Sequence, residues 1–133
     1  MIAVDTNVIV RLVTRDDPEQ LKAALKVFRS ESLWICKTVL LETEWVLRYS
    51  YKLGPESIRT VFRNLLGYPQ LQVEDRQAVL RALILFEQGL DFADALHLVS
   101  SGDADQFVTF DQPLAKAARR LDGSPTVELL KHA

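Results

Sequence analysis

The chain opens on Ile2-Ala3-Val4-Asp5-Thr6-Asn7-Val8-Ile9-Val10-Arg11-Leu12, and this stretch limits the folds open to it more than any other. A short apolar run ends abruptly in a carboxylate. Two small polar residues follow, then an apolar segment long enough for a helix. This is the pattern of a buried strand feeding a helix, with Asp5 at the strand's carboxyl end. In open α/β sheets that edge is where ligands bind.

The rest of the sequence repeats the alternation. Asp17-Pro18-Glu19-Gln20 is a helix start, with Leu21, Ala24, Leu25 and Phe28 on one apolar face. Leu33-Trp34-Ile35-Cys36 reads as a second strand. A helix is predicted from Thr38 to about Tyr51, and another from Pro55 with Ile58, Val61, Phe62, Leu65 and Leu66 inward. Leu71-Gln72-Val73 is a minimal third strand, after which Glu74 or Asp75 caps a helix carrying Val79, Ala82, Leu83 and Phe86. Asp91 caps a helix with Ala95, Leu98 and Val99. Gln106 to Phe110 is a fourth strand, followed by Asp111 and a helix with Leu114, Ala117, Ala118 and Leu121; Thr126 to Leu129 is a fifth, edge strand. The expected fold is α/β, one domain over residues 1–133, with a central parallel sheet of four to five strands flanked by helices.

Composition narrows the function. A chain of 133 residues with 48% hydrophobic content buries a core. Its apolar runs are too short to span a bilayer, and no signal peptide is evident. The single cysteine, Cys36, excludes an internal disulfide and suits a reduced, cytoplasmic setting. A net charge of −2 argues against a basic nucleic-acid coat, but not against a nucleic-acid enzyme whose acids hold a metal.

The acids carry the candidate chemistry. Asp5, Asp91 and Asp111 each precede a helix, where aspartate is an ordinary N-cap, and Asp94 in a first helical turn suits the dipole. Glu44 has Arg48 at i+4, an ordinary solvated pair. Glu42 lacks a cation at i±3 or i±4 and is read as facing the core, either paired to a distant arginine or a metal ligand. Strands one and four, if adjacent, would bring Asp5 and Asp111 together. Clustered carboxylates repel one another unless a hard cation such as Mg²⁺ or Mn²⁺ sits among them.

In order and spacing, Val4-Asp5-Thr6-Asn7-Val8-Ile9, Val39 to Leu47, Asp91-Phe92-Ala93-Asp94-Ala95-Leu96-His97 and Thr109-Phe110-Asp111 resemble the motifs of a PIN domain, specifically a VapC-type toxin of a toxin–antitoxin pair. The resemblance implies a Mg²⁺- or Mn²⁺-dependent ribonuclease, with Asp5, Glu42, Asp94 and Asp111 as catalytic acids and metal ligands. It also implies an RNA substrate, a homodimer and a cognate antitoxin protein. Thr6, Asn7, Asp91 and Thr109 are supporting residues beside the acids. His97 is a packed or surface residue. Arg11, Lys37, Arg48, Lys52, Lys116, Arg119 and Arg120 are candidate RNA contacts. The aromatic residues Trp45, Tyr49, Tyr51, Phe62 and Tyr68 are either core or a dimer or antitoxin surface. Two other readings stay open: a phospho-receiver-like signalling domain, and a catalytically silent PIN-like binding module. A dehalogenase-like phosphatase is disfavoured, because Asn7 stands where its second aspartate belongs.

Overall fold

The computed structural model describes residues 1–29, 32–121 and 125–131. The chain forms two compact units, Met1–Arg76 and Gln77–Ala133.

The first unit contains β1 (Ile2–Ala3), α1 (Thr6–Thr14), α2 (Pro18–Phe28), β2 (Leu33–Ile35), α3 (Lys37–Tyr49), α4 (Pro55–Leu66) and β3 (Leu71–Val73). Its three strands are parallel in the order β1-β2-β3, with Ile2 opposite Leu33 and Leu33 opposite Leu71. β2 is central. Leu33 and Ile35 have no solvent exposure, which is why this strand carries large aliphatic residues at alternate positions. The helices pack as the apolar faces require, α1 on α2 and α3, and α4 on α3 and β3. Ile9, Val10, Leu40, Leu47, Ile58 and Phe62 are buried there. Asp17 begins α2 by accepting from the Gln20 N–H at 3.0 Å, with Pro18 at the first helical position.

The second unit contains α5 (Arg76–Glu87, its first residue closing the first unit), α6 (Phe92–Ser100), β4 (Gln106–Thr109), α7 (Gln112–Ala118) and β5 (Thr126–Leu129). β4 and β5 pair in parallel, with Gln106 opposite Thr126. The rings of Phe86 and Phe92 meet edge to face at 5.5 Å, joining α5 to α6. Val79, Ala82, Leu83, Ala95, Leu98, Leu114 and Ala118 are buried as the helical spacing predicts.

All five expected strands form and all their pairings are parallel, so the α/β class holds. The ladder differs from the single four-to-five-stranded sheet expected. Hydrogen bonds build a sheet of three strands and a separate pair of two. β1 is short: its last ladder bond runs from the Val4 N–H to the Trp34 carbonyl at 3.0 Å, and Asp5 then caps α1. Glu74 and Asp75, which immediately precede α5, also hold α3. Glu74 accepts from the Lys37 N–H at 2.9 Å, and Asp75 pairs with Lys37 Nζ at 2.8 Å. Both acids thus anchor the start of α3, whose own N-cap, Cys36, makes no side-chain capping bond. Asp75 takes a left-handed backbone (φ 49), a conformation that aspartate tolerates better than most residues.

Candidate active site

In the first unit, the carboxyl end of β1 runs directly into α1. Asp5 is extended (φ −87, ψ 165), and its Oδ1 accepts from the Thr6 N–H at 2.8 Å. Thr6, buried at 3% exposure, turns its hydroxyl the other way and donates to Glu42 Oε1 at 2.5 Å. One residue therefore links the end of β1 to the middle of α3, 36 positions along the chain. Asp5 and Glu42 are both exposed and are brought together through Thr6. Asn7 is exposed as well, and it lines a shallow cleft of about 190 Å³ with Val8, Arg11, Gln20, Ala23, Ala24 and Val27.

Glu42 does not face the core, contrary to expectation. Leu40, Thr43, Glu44 and Leu47 occupy the buried face of α3, leaving Glu42, Trp45 and Tyr49 exposed. Glu44, expected on the solvated side, is 2% exposed and is held by Arg48 through Nε at 2.7 Å and Nη2 at 3.1 Å. The inversion has a simple helical basis. The stripe at i, i+3, i+4 and i+7 starts from Leu40, and Arg48 can reach back to Glu44 within the same helix, so its charge is buried with a partner.

In the second unit the three aspartates lie on helix starts. Asp91 caps α6 by accepting from the Asp94 N–H at 3.2 Å. Asp111 caps α7 by accepting from the Leu114 N–H at 2.9 Å, and its own N–H donates to Thr109 Oγ1 at 3.0 Å. Thr109 thus positions the backbone of Asp111. Asp94 is half-buried, and burial raises its carboxyl above the usual range. The negative charges of Asp91 and Asp111 raise it further, while His97 acts in the opposite direction. Asp91, Asp94 and Asp111 are therefore electrostatically coupled, with an exposed His97 as the nearby basic group.

The capping reading and the site reading of these acids are compatible, because each cap uses one carboxylate oxygen. The donor set is all oxygen, the chemistry that hard divalent ions select. Donor spacing is a different matter. Among the described residues, no three His, Cys, Asp or Glu side chains are gathered closely enough to hold a metal ion.

Several cations read as RNA contacts are already engaged. Arg11 bonds to Gln20, Asp16 and Tyr51, Lys37 to Asp75, and Arg48 to Glu44. Lys116, Arg119 and Arg120, on and just after α7, are exposed. Sequence reading missed the Lys37–Glu74–Asp75 anchor. Its only signal was a pair of acids immediately after a strand, the same signal that marks a cap for the next helix.

A family model described as the PIN domain matches residues 2–120. Comparison with characterised proteins yields no significant match. No helix among the described residues is long and apolar enough to cross a membrane.

Proposed function

Because the chain belongs to the PIN-domain family, whose members are typically nucleases that use divalent metals, we propose that it is a Mg²⁺- or Mn²⁺-dependent endoribonuclease with Asp5, Glu42, Asp94 and Asp111 as its catalytic acids. The proposal extends to the toxin of a type II toxin–antitoxin pair: a cytoplasmic homodimer silenced by a cognate antitoxin protein. The match runs through both compact units, which supports treating residues 1–133 as one PIN-like domain.

One observation carries the reading. Thr6 joins Asp5 and Glu42, two of the four acids in the recognised pattern: its N–H donates to Asp5 in the cap of α1, and its hydroxyl donates to Glu42, a bond that α3 does not need for its own formation. Holding a carboxylate by a buried hydroxyl fixes its direction without neutralising it. Phosphodiester hydrolysis needs a water oriented for attack and deprotonated as the bond forms. Glu42 Oε1 is committed to Thr6, which leaves Oε2 to accept that proton. The electrostatic coupling of Asp91, Asp94 and Asp111 supports their role as a site for positive charge.

The test is cleavage of a structured RNA mixture by purified protein with Mn²⁺, Mg²⁺ or EDTA, with Asp5→Asn alongside. Metal-dependent cutting that is lost in the variant is the expected result. Equal cutting by both proteins overturns the reading, and RNA binding without cleavage under any metal points to a silent binding module. Growth arrest on expression, absent for Asp5→Asn, tests the toxin role.

A further inference from the structure

We infer that the exposed stripe of α3 is a stacking platform for the bases of a single-stranded nucleic acid, with Trp45 and Tyr49 as its two rings. The inference rests on the nuclease reading above and assigns that site a substrate-binding track. Glu42, Trp45 and Tyr49 fall at i, i+3 and i+7, so they share one face of the helix. All three are exposed, the two rings to 51% and 50%. Their centroids lie 5.0 Å apart with planes tilted by 40°, and the Arg48 guanidinium sits 4.7 Å from the Tyr49 centroid. Two rings joined to a guanidinium are the usual components of sequence-tolerant base binding.

The alternative occupant is a second protein surface. A stable protein interface needs about 800 Å² per partner with an apolar centre. Apart from Met1 and Ile2 at the start of the chain, Trp45 and Tyr49 are the large hydrophobic residues exposed among the described residues of the first unit. Around them on α3 and just beyond, the exposed residues are Glu42, Ser50 and Lys52, whereas the aliphatic neighbours Leu41, Val46 and Leu53 are only partly exposed. Two exposed rings whose exposed neighbours are polar and charged are sized for bases rather than for a dimer seal.

The position also fits a track leading to the acids. Along the helix axis Trp45 lies about 4.5 Å and Tyr49 about 10.5 Å from Glu42. A nucleic-acid strand advances about 3.4 Å per nucleotide, so the rings meet bases roughly one to three nucleotides from a phosphate held near Glu42. Lys52, just beyond α3, supplies positive charge at the far end of the stripe.

The experiment titrates full-length protein in EDTA with a single-stranded uridine dodecamer, following tryptophan fluorescence and anisotropy of the labelled oligonucleotide. Trp34 on β2 is the other tryptophan, so Trp34→Phe is used as the background for the fluorescence. Stacking predicts quenching of Trp45 on binding. It also predicts a Kd roughly 5- to 100-fold weaker in Trp45→Ala, restored largely by Trp45→Phe. Binding without quenching, or with unchanged affinity in Trp45→Ala, overturns the inference. So does a wild-type dimer in sedimentation that Trp45→Ala converts to monomer with no change in oligonucleotide affinity. The same preparations are assayed for metal-dependent cleavage. Cleavage by wild type with oligonucleotide binding insensitive to Trp45 removes the platform and leaves the nuclease reading in place. Quenching and Trp45-dependent binding without cleavage do the reverse.

Discussion

The two compact units hold similar acids in different ways. In the first, Asp5 and Glu42 both accept hydrogen bonds from Thr6, so a single buried residue ties the two carboxylates together. In the second, Asp94 is half-buried beside two other aspartates and is raised by all three influences. One pair of acids is held in place by the fold; the other group is held in place at an electrostatic cost. The difference teaches that helix capping can recruit carboxylates to a site in two ways. A cap linked to a buried hydroxyl orients acids at little cost, whereas caps on helix starts near another carboxylate concentrate charge that a proton or a cation relieves.

The sharpest way to break this comparison is Asp5→Asn. Asparagine caps a helix about as well as aspartate, so folding should be unchanged by circular dichroism. Nuclease activity should fall by at least about 100-fold, because the acid itself and not its support is lost. Unaltered cleavage would mean the first unit's acids are structural.

Arg48→Ala tests burial of charge on α3 without touching the candidate acids. It strips the partner from Glu44, which is 2% exposed. Urea unfolding should show a loss of about 3 kcal/mol, toward the low end for a broken buried pair because Arg48 is itself partly exposed.

A smaller effect is expected from Thr6→Val, which keeps the buried shape and removes the hydroxyl. Stability should drop by about 1 kcal/mol and activity by about 10- to 100-fold, with Thr6→Ser recovering much of both. If Thr6→Val keeps full activity, Glu42 does not need its tether, and the contrast between the units loses its functional meaning.

The smallest effect belongs to the second unit. A carboxyl raised in the folded state binds its proton more tightly there than in the unfolded chain. Asp94 therefore lowers stability as pH rises from the ordinary aspartate range through its raised folded value, and the loss persists above it. Asp94→Asn should be modestly more stable than wild type at neutral pH, with the difference vanishing in strong acid; thermal unfolding from pH 3 to 8 checks the sign. Asp16 has the opposite dependence. The Thr14 hydroxyl, then Tyr51 and Arg11, hold its carboxyl below the usual range, so its contribution is lost as pH falls through that lowered value.

The order of elements, the parallel α/β class and the capping acids are legible in the residues alone, because these depend on local chemistry. Apolar period, proline at a first helical position and a carboxylate before a helix all act within a few residues. Asp5, Asp17, Asp91 and Asp111 are caps in the structure for that reason. Which glutamate of α3 is buried was not legible in the same way. Glu42 and Glu44 lie two positions apart, and the choice turned on the stripe through Leu40 and Leu47 packing inward and on Arg48 accompanying Glu44. The tether from Thr6 to Glu42 and the grip of Glu74 and Asp75 on Lys37 join residues 36 to 38 positions apart. Such bonds depend on how strands and helices come together in space, so they emerge with the assembled fold and not from any local stretch of residues.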